Sequence, residues 1–404
     1  MPRTVLNICK YAYLKYPMTF LLISLALLLP YVALIVYYCH SWLQIPSYSP
    51  VDGTSAKNST FITVIIVARN EEKNIGNCVE SITKQIYPGN LFELIIVDDN
   101  SGDSTGAIAR SFKKNNFSVV SLKDFTGNEY LNSYKKKALE TAIGLAKGSL
   151  IVTTDADCIV HPQWLQTIAS YYEEIYPAFI VAPVVYNNPL GNDAFFKKFL
   201  KIFQSLDFIM LQGITGASVF KKFHSMCNGA NLAYEKKVFY EVGGFQGIDN
   251  IASGDDMLLM HKIQKIYPGK IGYLKSAMVV VQTQPSETLK DFMNQRIRWA
   301  SKADKYPDRK ITAVLLLVYI FNAWIFFMAL CSFFYPDVFY LFLLLLIAKT
   351  LVEFFFLYPV AGFFRKRKLL LLFLPAQPFH IIYTLIAGWL GKFGSYKWKG
   401  RKVQ

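Results

Sequence analysis

The chain has 404 residues, 53% of them hydrophobic, 16% aromatic and only 18% charged, against about 25% charged in an average soluble protein. That balance excludes a disordered chain and points to a membrane. A net charge of +15 suits nucleic acid, a membrane surface or an anionic substrate alike, so its distribution decides. Arg3, Lys10 and Lys15 precede the first long apolar run. Arg296, Arg298, Lys302, Lys305, Arg309 and Lys310, with Asp304 and Asp308 among them, precede the second. Arg365 to Lys368 make a third patch, and Lys392, Lys397, Lys399, Arg401 and Lys402 a fourth. These patches hold 18 basic and two acidic residues, which leaves −1 for the rest of the chain. No basic face interleaved with aromatics remains for nucleic acid, and that class of partner is excluded.

Taken in order, residues 1–40 read as an N-terminal anchor whose apolar run, 17–39, is too long for a signal peptide and lacks a cleavage site. Residues 41–60, polar and rich in Ser and Pro, read as a linker. Between 61 and 300 short β-branched strands alternate with helical patterns, the mark of a soluble α/β domain. Residues 301–310 form a basic juxtamembrane segment. The stretch 311–392 holds two or three spans, 311–334, 338–360 and 369–392, the last interrupted by Pro375 and Pro378 and so readable as a kinked span or as a segment lying in the interface. Residues 393–404 are a basic tail. The six cysteines and five histidines show no disulfide framework or zinc spacing.

The chemistry starts at the strand 61–67, which ends in Ala68-Arg69-Asn70-Glu71 and leads into a helix. A second strand, 94–97, ends in Asp98-Asp99. Ends of parallel strands are where open α/β sheets bind nucleotides. With no phosphate-cradling glycine motif present, acidic side chains are the candidates for holding base and ribose, or else for capping the next helix. A third strand, 150–154, delivers Asp155-Ala156-Asp157, two carboxylates able to share a hard cation such as Mg2+ or Mn2+. Lys135, Lys136 and Lys137 open a helix from which one lysine can reach a phosphate. Asn228-Gly229-Ala230-Asn231 follows, then Gly254-Asp255-Asp256, whose adjacent carboxylates suit a general base. Gln295, Arg298 and Trp299 share a helical face that offers an amide, a phosphate clamp and a stacking ring; an interfacial belt is the alternative.

This order of motifs resembles the membrane-bound family 2 glycosyltransferases over roughly residues 60–300. The resemblance implies a GT-A fold, that is, a Rossmann-like nucleotide-diphospho-sugar transferase domain flanked by transmembrane helices. It assigns nucleotide-sugar binding to Ala68, Arg69, Asn70, Glu71, Asp98, Asp99, Lys135 and Asp155, and a metal, Mg2+ or Mn2+, to Asp157 with Asp155. Asp256, with Asp255 beside it, is the implied catalytic base. Gln295, Arg298 and Trp299 match the Gln-x-x-Arg-Trp signature and, with Asn228 and Gly229, fall to the diphosphate and acceptor side. Ala68 stands where many members have Pro, and Asp255 where many have Glu.

The implied reaction is an inverting hexosyl or N-acetylhexosaminyl transfer from a nucleotide-sugar. Three or four spans favour transfer of one sugar to a lipid, lipid-linked or glycan acceptor, for glycolipid or polysaccharide synthesis, over a processive synthase of the cellulose or hyaluronan type. An oligomer stays open. From another class, a transport or channel protein with a nucleotide-binding domain is disfavoured by the scarcity of intramembrane polar residues; Lys349 and Glu353, four residues apart, are the exception. The catalytic domain is expected in the cytosol, at the cytoplasmic membrane. The basic residues at 296–310 and 365–368 agree with that side, and those at both termini conflict with it if four segments cross. Residues 180–230 are expected to shape the acceptor side.

Overall fold

The computed structural model describes residues 3–50, 59–127, 132–187, 194–249, 251, 254–303, 305–394, 396–398 and 401–403, with side chains from Met18 to Gly394. Most of the expected linker, residues 51–58, together with Asp304 and Lys399 of the basic patches, lies outside them. The chain divides into two compact units, Met1–Leu43 with Leu289–Gly394, and Gln44–Thr288 with Ser395–Gln404.

The second unit is the α/β one. Its elements run β1 (Ile62–Ala68), α2 (Ile75–Thr83), β2 (Phe92–Asp98), α3 (Thr105–Ser111), β3 (Phe117–Ser121), α4 (Lys123–Thr126), α5 (Tyr134–Leu145), β4 (Leu150–Asp155) and α6 (Trp164–Ile175), α1 being the N-terminal helix described below. There follow β5 (Phe179–Val181), β6 (Val184–Tyr186), α7 (Phe195–Phe220), β7 (Leu232–Glu235), α8 (Lys236–Glu241), α9 (Asp255–Ile266), β8 (Ile271–Tyr273) and β9 (Val281–Thr283). Seven strands form one sheet in the order β3-β2-β1-β4-β7-β5-β8, and β6 pairs with β9 beside it.

The apolar strands β1, β2 and β4 are buried on both faces, as parallel strands under helices are. The chain builds β1, β2 and β3 outward, then crosses to place β4 on the other side of β1. That reversal opens a crevice at the strand ends. Register aligns the ends that carry the acidic residues: Ala68 lies opposite Asp98, and Val67 opposite Asp155.

The first unit is helical: α1 (Arg3–Gln44), α10 (Leu289–Ala300), α11 (Arg309–Cys331), α12 (Pro336–Phe363) and α13 (Phe373–Phe393), with a 3-10 turn at Arg367–Leu372. Four segments, Met18–Gln44, Arg309–Cys331, Pro336–Phe363 and Arg367–Phe393, are long and apolar enough to cross a membrane. Their outward residues include Leu22, Leu316, Phe355 and Trp389, all exposed, a surface that suits lipid rather than water. Two sequence boundaries shift. The first helix runs to Gln44, because Tyr38, Ser41 and Trp42 are buried, so the expected linker starts later than 41. The helix bearing Gln295, Arg298 and Trp299 groups with the membrane helices and not with the α/β domain expected to reach residue 300. Its apolar side explains this: Phe292 packs on Tyr383 at 5.3 Å, between ring centroids.

Within the helical unit, Lys349 and Glu353 are 0% and 4% exposed. The Lys349 ammonium lies 2.8 Å from Glu353 Oε1 and donates to Gln377 Oε1 at 2.7 Å. Gln377 Nε2 donates to Glu353 Oε2 at 2.7 Å, and the Tyr31 hydroxyl donates to Glu353 Oε1. The charged pair is thus a closed network that ties α1, α12 and α13 together, and it does not line an open groove.

Candidate active site

Two clusters form at the strand ends of the α/β unit. The first joins the turns after β1 and β2. Asn70 and Asn100 both take φ of 52°, a left-handed conformation that asparagine tolerates. Arg69 Nη1 donates to the carbonyls of Asp99 and Asn100 at 2.7 and 3.1 Å, and sits 3.9 Å from Asp99 Oδ1. Asn70 Oδ1 accepts from Gly102 N at 2.8 Å, and Glu71 N donates to Thr105 Oγ1 at 2.7 Å. Asp99 is fully buried, which puts its carboxylate at the base of this turn pair with Arg69. Asp98 is half-buried and accepts from Ser101 N through Oδ1 at 3.0 Å. Its Oδ2 and the Arg110 guanidinium crowd Gly106, where a Cβ would come within 2.5 and 2.8 Å of them. A side chain there would have to push these two side-chain ends aside.

The second cluster surrounds a narrow cleft open to solvent, lined by Lys135, Thr153, Asp155, Gly229, Tyr234, Asp255 and Asp256, with Val67, Leu139, Leu232, Phe245 and Leu259 as apolar walls. The three lysines at the start of α5 point three ways. Lys135 Nζ bonds Asp155 Oδ1 at 2.9 Å and lies 3.6 Å from Asp255 Oδ2. Lys136, 2% exposed, donates to the carbonyl of Ile251. Lys137 pairs with Glu140 at the surface. Burial works against the charge on Lys135, but Asp155, Asp255 and Asp256 outweigh it and raise its pKa above the lysine range. Burial is also the dominant influence on Lys136 and lowers its pKa in spite of Asp255, Asp256 and Asp249.

Asp255 and Asp256 are the first two residues of α9, where a helix favours negative charge. Asp256 accepts from Gly229 N through Oδ2 at 2.9 Å and from Met257 N through Oδ1 at 2.8 Å. Each carboxylate oxygen has a second acceptor position. Asn228 Oδ1 accepts from Ala230 N at 3.0 Å, fixing the turn that presents Gly229. Asn231 is a buried staple: it donates to the carbonyls of Pro183 and Val279 and accepts from Trp164 Nε1. Asp157 points to the other side of the β4 end, where its Oδ2 accepts from Thr283 Oγ1 at 2.9 Å. Nothing near residue 157 in the sequence signals Thr283. Beneath this turn the thiols of Cys78 and Cys158 are buried, which raises both pKa values, and Cys78 Sγ donates to the Asp155 carbonyl.

The donor set at the β4 end is two carboxylates. Among the described residues no group of three or more His, Cys, Asp or Glu converges on one point. Two carboxylates are a donor set that Mg2+ or Mn2+ can use, since these ions keep several waters and bind through one or two carboxylates plus substrate phosphates; here Lys135 engages Asp155 and Thr283 engages Asp157.

Within the helical unit Arg296, 4% exposed, lies over the Phe292 and Trp299 rings at 4.7 and 4.3 Å and donates to Gln295 Oε1 at 2.8 Å. The buried arginine of this run is therefore Arg296. Gln295 and one face of Trp299 serve it, while Arg298 is half-buried.

Residues 63–243 match the family described as Glycosyl transferase family 2. That stretch, from β1 to the turn after α8, carries a domain of this kind. It is similar to glycosyltransferase AglE of Haloferax volcanii, 36% identical over 106 residues, 26% of this chain and 33% of that protein. It is also similar to beta-monoglucosyldiacylglycerol synthase of Synechocystis, 30% identical over 111 residues, 28% of this chain and 22% of that one. The chain thus spans a third or less of the length of these relatives. Among solved structures, a mannosyltransferase of Pyrobaculum calidifontis in complex with GDP-Man and Mn2+ superposes with a TM-score of 0.54 at 18% identity, covering 93% of this chain and 97% of that one. The fold is GT-A, and four of the described helices are long and apolar enough to cross a membrane.

Proposed function

We propose that this protein is a family 2 glycosyltransferase that moves one sugar from a nucleotide-sugar to a lipid or lipid-linked acceptor at the cytosolic face of a membrane. The observation that carries the proposal is the convergence of Lys135, Asp155, Asp255 and Asp256 in one cleft at the sheet's crossover point. The names of its relatives supply a glycolipid acceptor in one case and a GDP-sugar with Mn2+ in another.

In this reading the strand-end turns at 68–71 and 98–101 hold the nucleoside, with Asp98 facing it and Asp99 and Arg69 keeping the turns rigid. Asp155 and Asp157 would hold a divalent cation, which supplies charge to offset the diphosphate. Lys135 adds a second positive charge beside the same group. Asp256, oriented by two backbone N–H donors, accepts the proton of the acceptor hydroxyl. The hydroxyl oxygen forms its bond to the anomeric carbon as the bond from that carbon to the diphosphate oxygen breaks. The nucleoside diphosphate leaves, and configuration inverts. The resemblance also assigns Gln295, Arg298 and Trp299 to the diphosphate and acceptor side.

The test is a donor screen on the full chain in lipid bilayers, with nucleoside diphosphate release and passage of labelled sugar into the organic phase as paired readouts. One donor is expected to give both, with a single added sugar in the product. Nucleoside diphosphate released into water with no labelled lipid refutes the acceptor, and a ladder of products refutes single transfer.

A further inference from the structure

Helix α13 has 21 residues, about 32 Å at 1.5 Å per residue, and on length alone it counts as a fourth membrane crossing. Its neighbours within the helical unit place it otherwise. α11 and α12 pack together and are joined by residues 332–335, so they run antiparallel. The start of α11 at Arg309 and the end of α12 at Phe363 therefore lie at one face, the near face. α1 agrees, since Trp42 meets Phe363 at 5.6 Å and Phe20 meets Phe327 at 6.3 Å. The chain thus leaves the helical unit after Leu43, and re-enters it at Leu289, on the near side.

A crossing that began after Phe363 has to end beside the α11–α12 turn at the far face. α13 ends at the near face. A Cβ on Gly391 would come within 2.6 Å of Ala300 Cβ and 3.0 Å of Ser301 N. The carbonyl of Ala303, just beyond, accepts from Thr312 Oγ1 in the first turn of α11 at 3.1 Å. At the opposite end Phe373 meets Phe354 at 6.2 Å, and Arg367 covers the Tyr358 ring at 4.6 Å, both partners in the last part of α12. Between its ends α13 runs beside α10, with Phe379 and Tyr383 against Phe292 and Gly391 against Ala300. α10 carries exposed Lys290 and Asp291 opposite its buried Phe292, the pattern of a helix lying in an interface. A helix that shares its length with such a partner lies in the same plane.

We propose that α13 does not cross the bilayer: with α10 it lies in the near face, leaving α1, α11 and α12 as the crossings. The C-terminal tail is then on the same side as the inserted residues 44–288, and the N-terminus is opposite. The basic residues of the tail join those at 296–310 and 365–368 on one side, as the positive-inside rule expects of the cytosolic one.

The proposal stands independently of the catalytic reading, and its test is topological. The full chain is made in three versions, each with one epitope tag: at the N-terminus, between the exposed Lys113 and Lys114 of the α/β unit, and at the C-terminus. Each is placed in sealed vesicles and digested with protease before and after permeabilisation. The internal and C-terminal tags are expected to share one side and the N-terminal tag to take the other. Any other partition of the three tags overturns the proposal, and a C-terminal tag that follows the N-terminal one restores four crossings.

Discussion

Replacing Lys349 by Met removes the ammonium paired with Glu353 while keeping length and apolar volume. The ammonium is fully buried and contacts both Glu353 oxygens, at 2.8 and 3.0 Å, and Gln377 at 2.7 Å. Breaking a buried pair by deleting one partner costs about 3–5 kcal/mol. Tyr31 and Gln377 still donate to the stranded carboxylate, so the lower end, about 3 kcal/mol, is expected. Adding Glu353→Gln leaves a neutral amide that both donors can serve, and the double change should cost only about 1 kcal/mol. The two substitutions are then coupled by about 2 kcal/mol or more, where independent sites agree within about 0.5. The assay is unfolding of the purified chain in micelles, read from the reactivity of Cys39, whose thiol donates to the carbonyl of Phe355 across the α1–α12 contact. A single variant within about 0.5 kcal/mol of the parent, or additive effects, refutes the view that this network locks three helices together.

Three further changes probe the α/β unit. Asp157→Asn, which keeps an acceptor for Thr283 and loses a charge, is expected to weaken Mn2+-dependent nucleotide binding at least tenfold, read by calorimetry, with little effect on binding without metal. Lys136→Met frees the Ile251 carbonyl that leads into α9; transfer should fall through kcat more than KM, with Lys136→Arg restoring part of it, and an unchanged kcat contradicts a positioning role. Gly244→Ala forces a Cβ to within 2.8 Å of the Phe239 ring at φ +49, and should destabilise the unit by about 1–3 kcal/mol in denaturant titration.

The strands and their acidic ends were legible because each relies on local pattern. A buried parallel strand is a run of β-branched residues, and the polar triplet after it marks where the strand leaves the core. Register then follows from topology, and so Asp98 and Asp155 reach comparable heights on the two strands that flank β1. What stayed hidden depends on distant partners. Which of Lys135, Lys136 and Lys137 faces the cleft is set by carboxylates at 155 and 255 and by the carbonyl at 251. Asp157 turns to a threonine more than a hundred residues on. In the Gln-x-x-Arg-Trp run, helical spacing put Gln295, Arg298 and Trp299 on one face but gave no sign that Arg296 would take the buried place between two rings. Lys349 and Glu353 were visible as a pair; Tyr31 and Gln377, which close their network, come from separate helices.

The central claim is that Asp256 takes the acceptor proton in the cleft behind Lys135. The most direct measurement is single-turnover transfer by Asp256→Asn, with donor binding measured separately on the same preparation. Asparagine keeps one acceptor oxygen, for either the Gly229 or the Met257 amide, and cannot act as a base at neutral pH. A positioned general base contributes about 10²–10⁴ in rate, so transfer should fall by that factor while donor affinity stays within about threefold. Asp255→Asn, which removes a partner of Lys135, should fall less. Transfer by Asp256→Asn at the parent's rate, with donor bound equally well, contradicts the account.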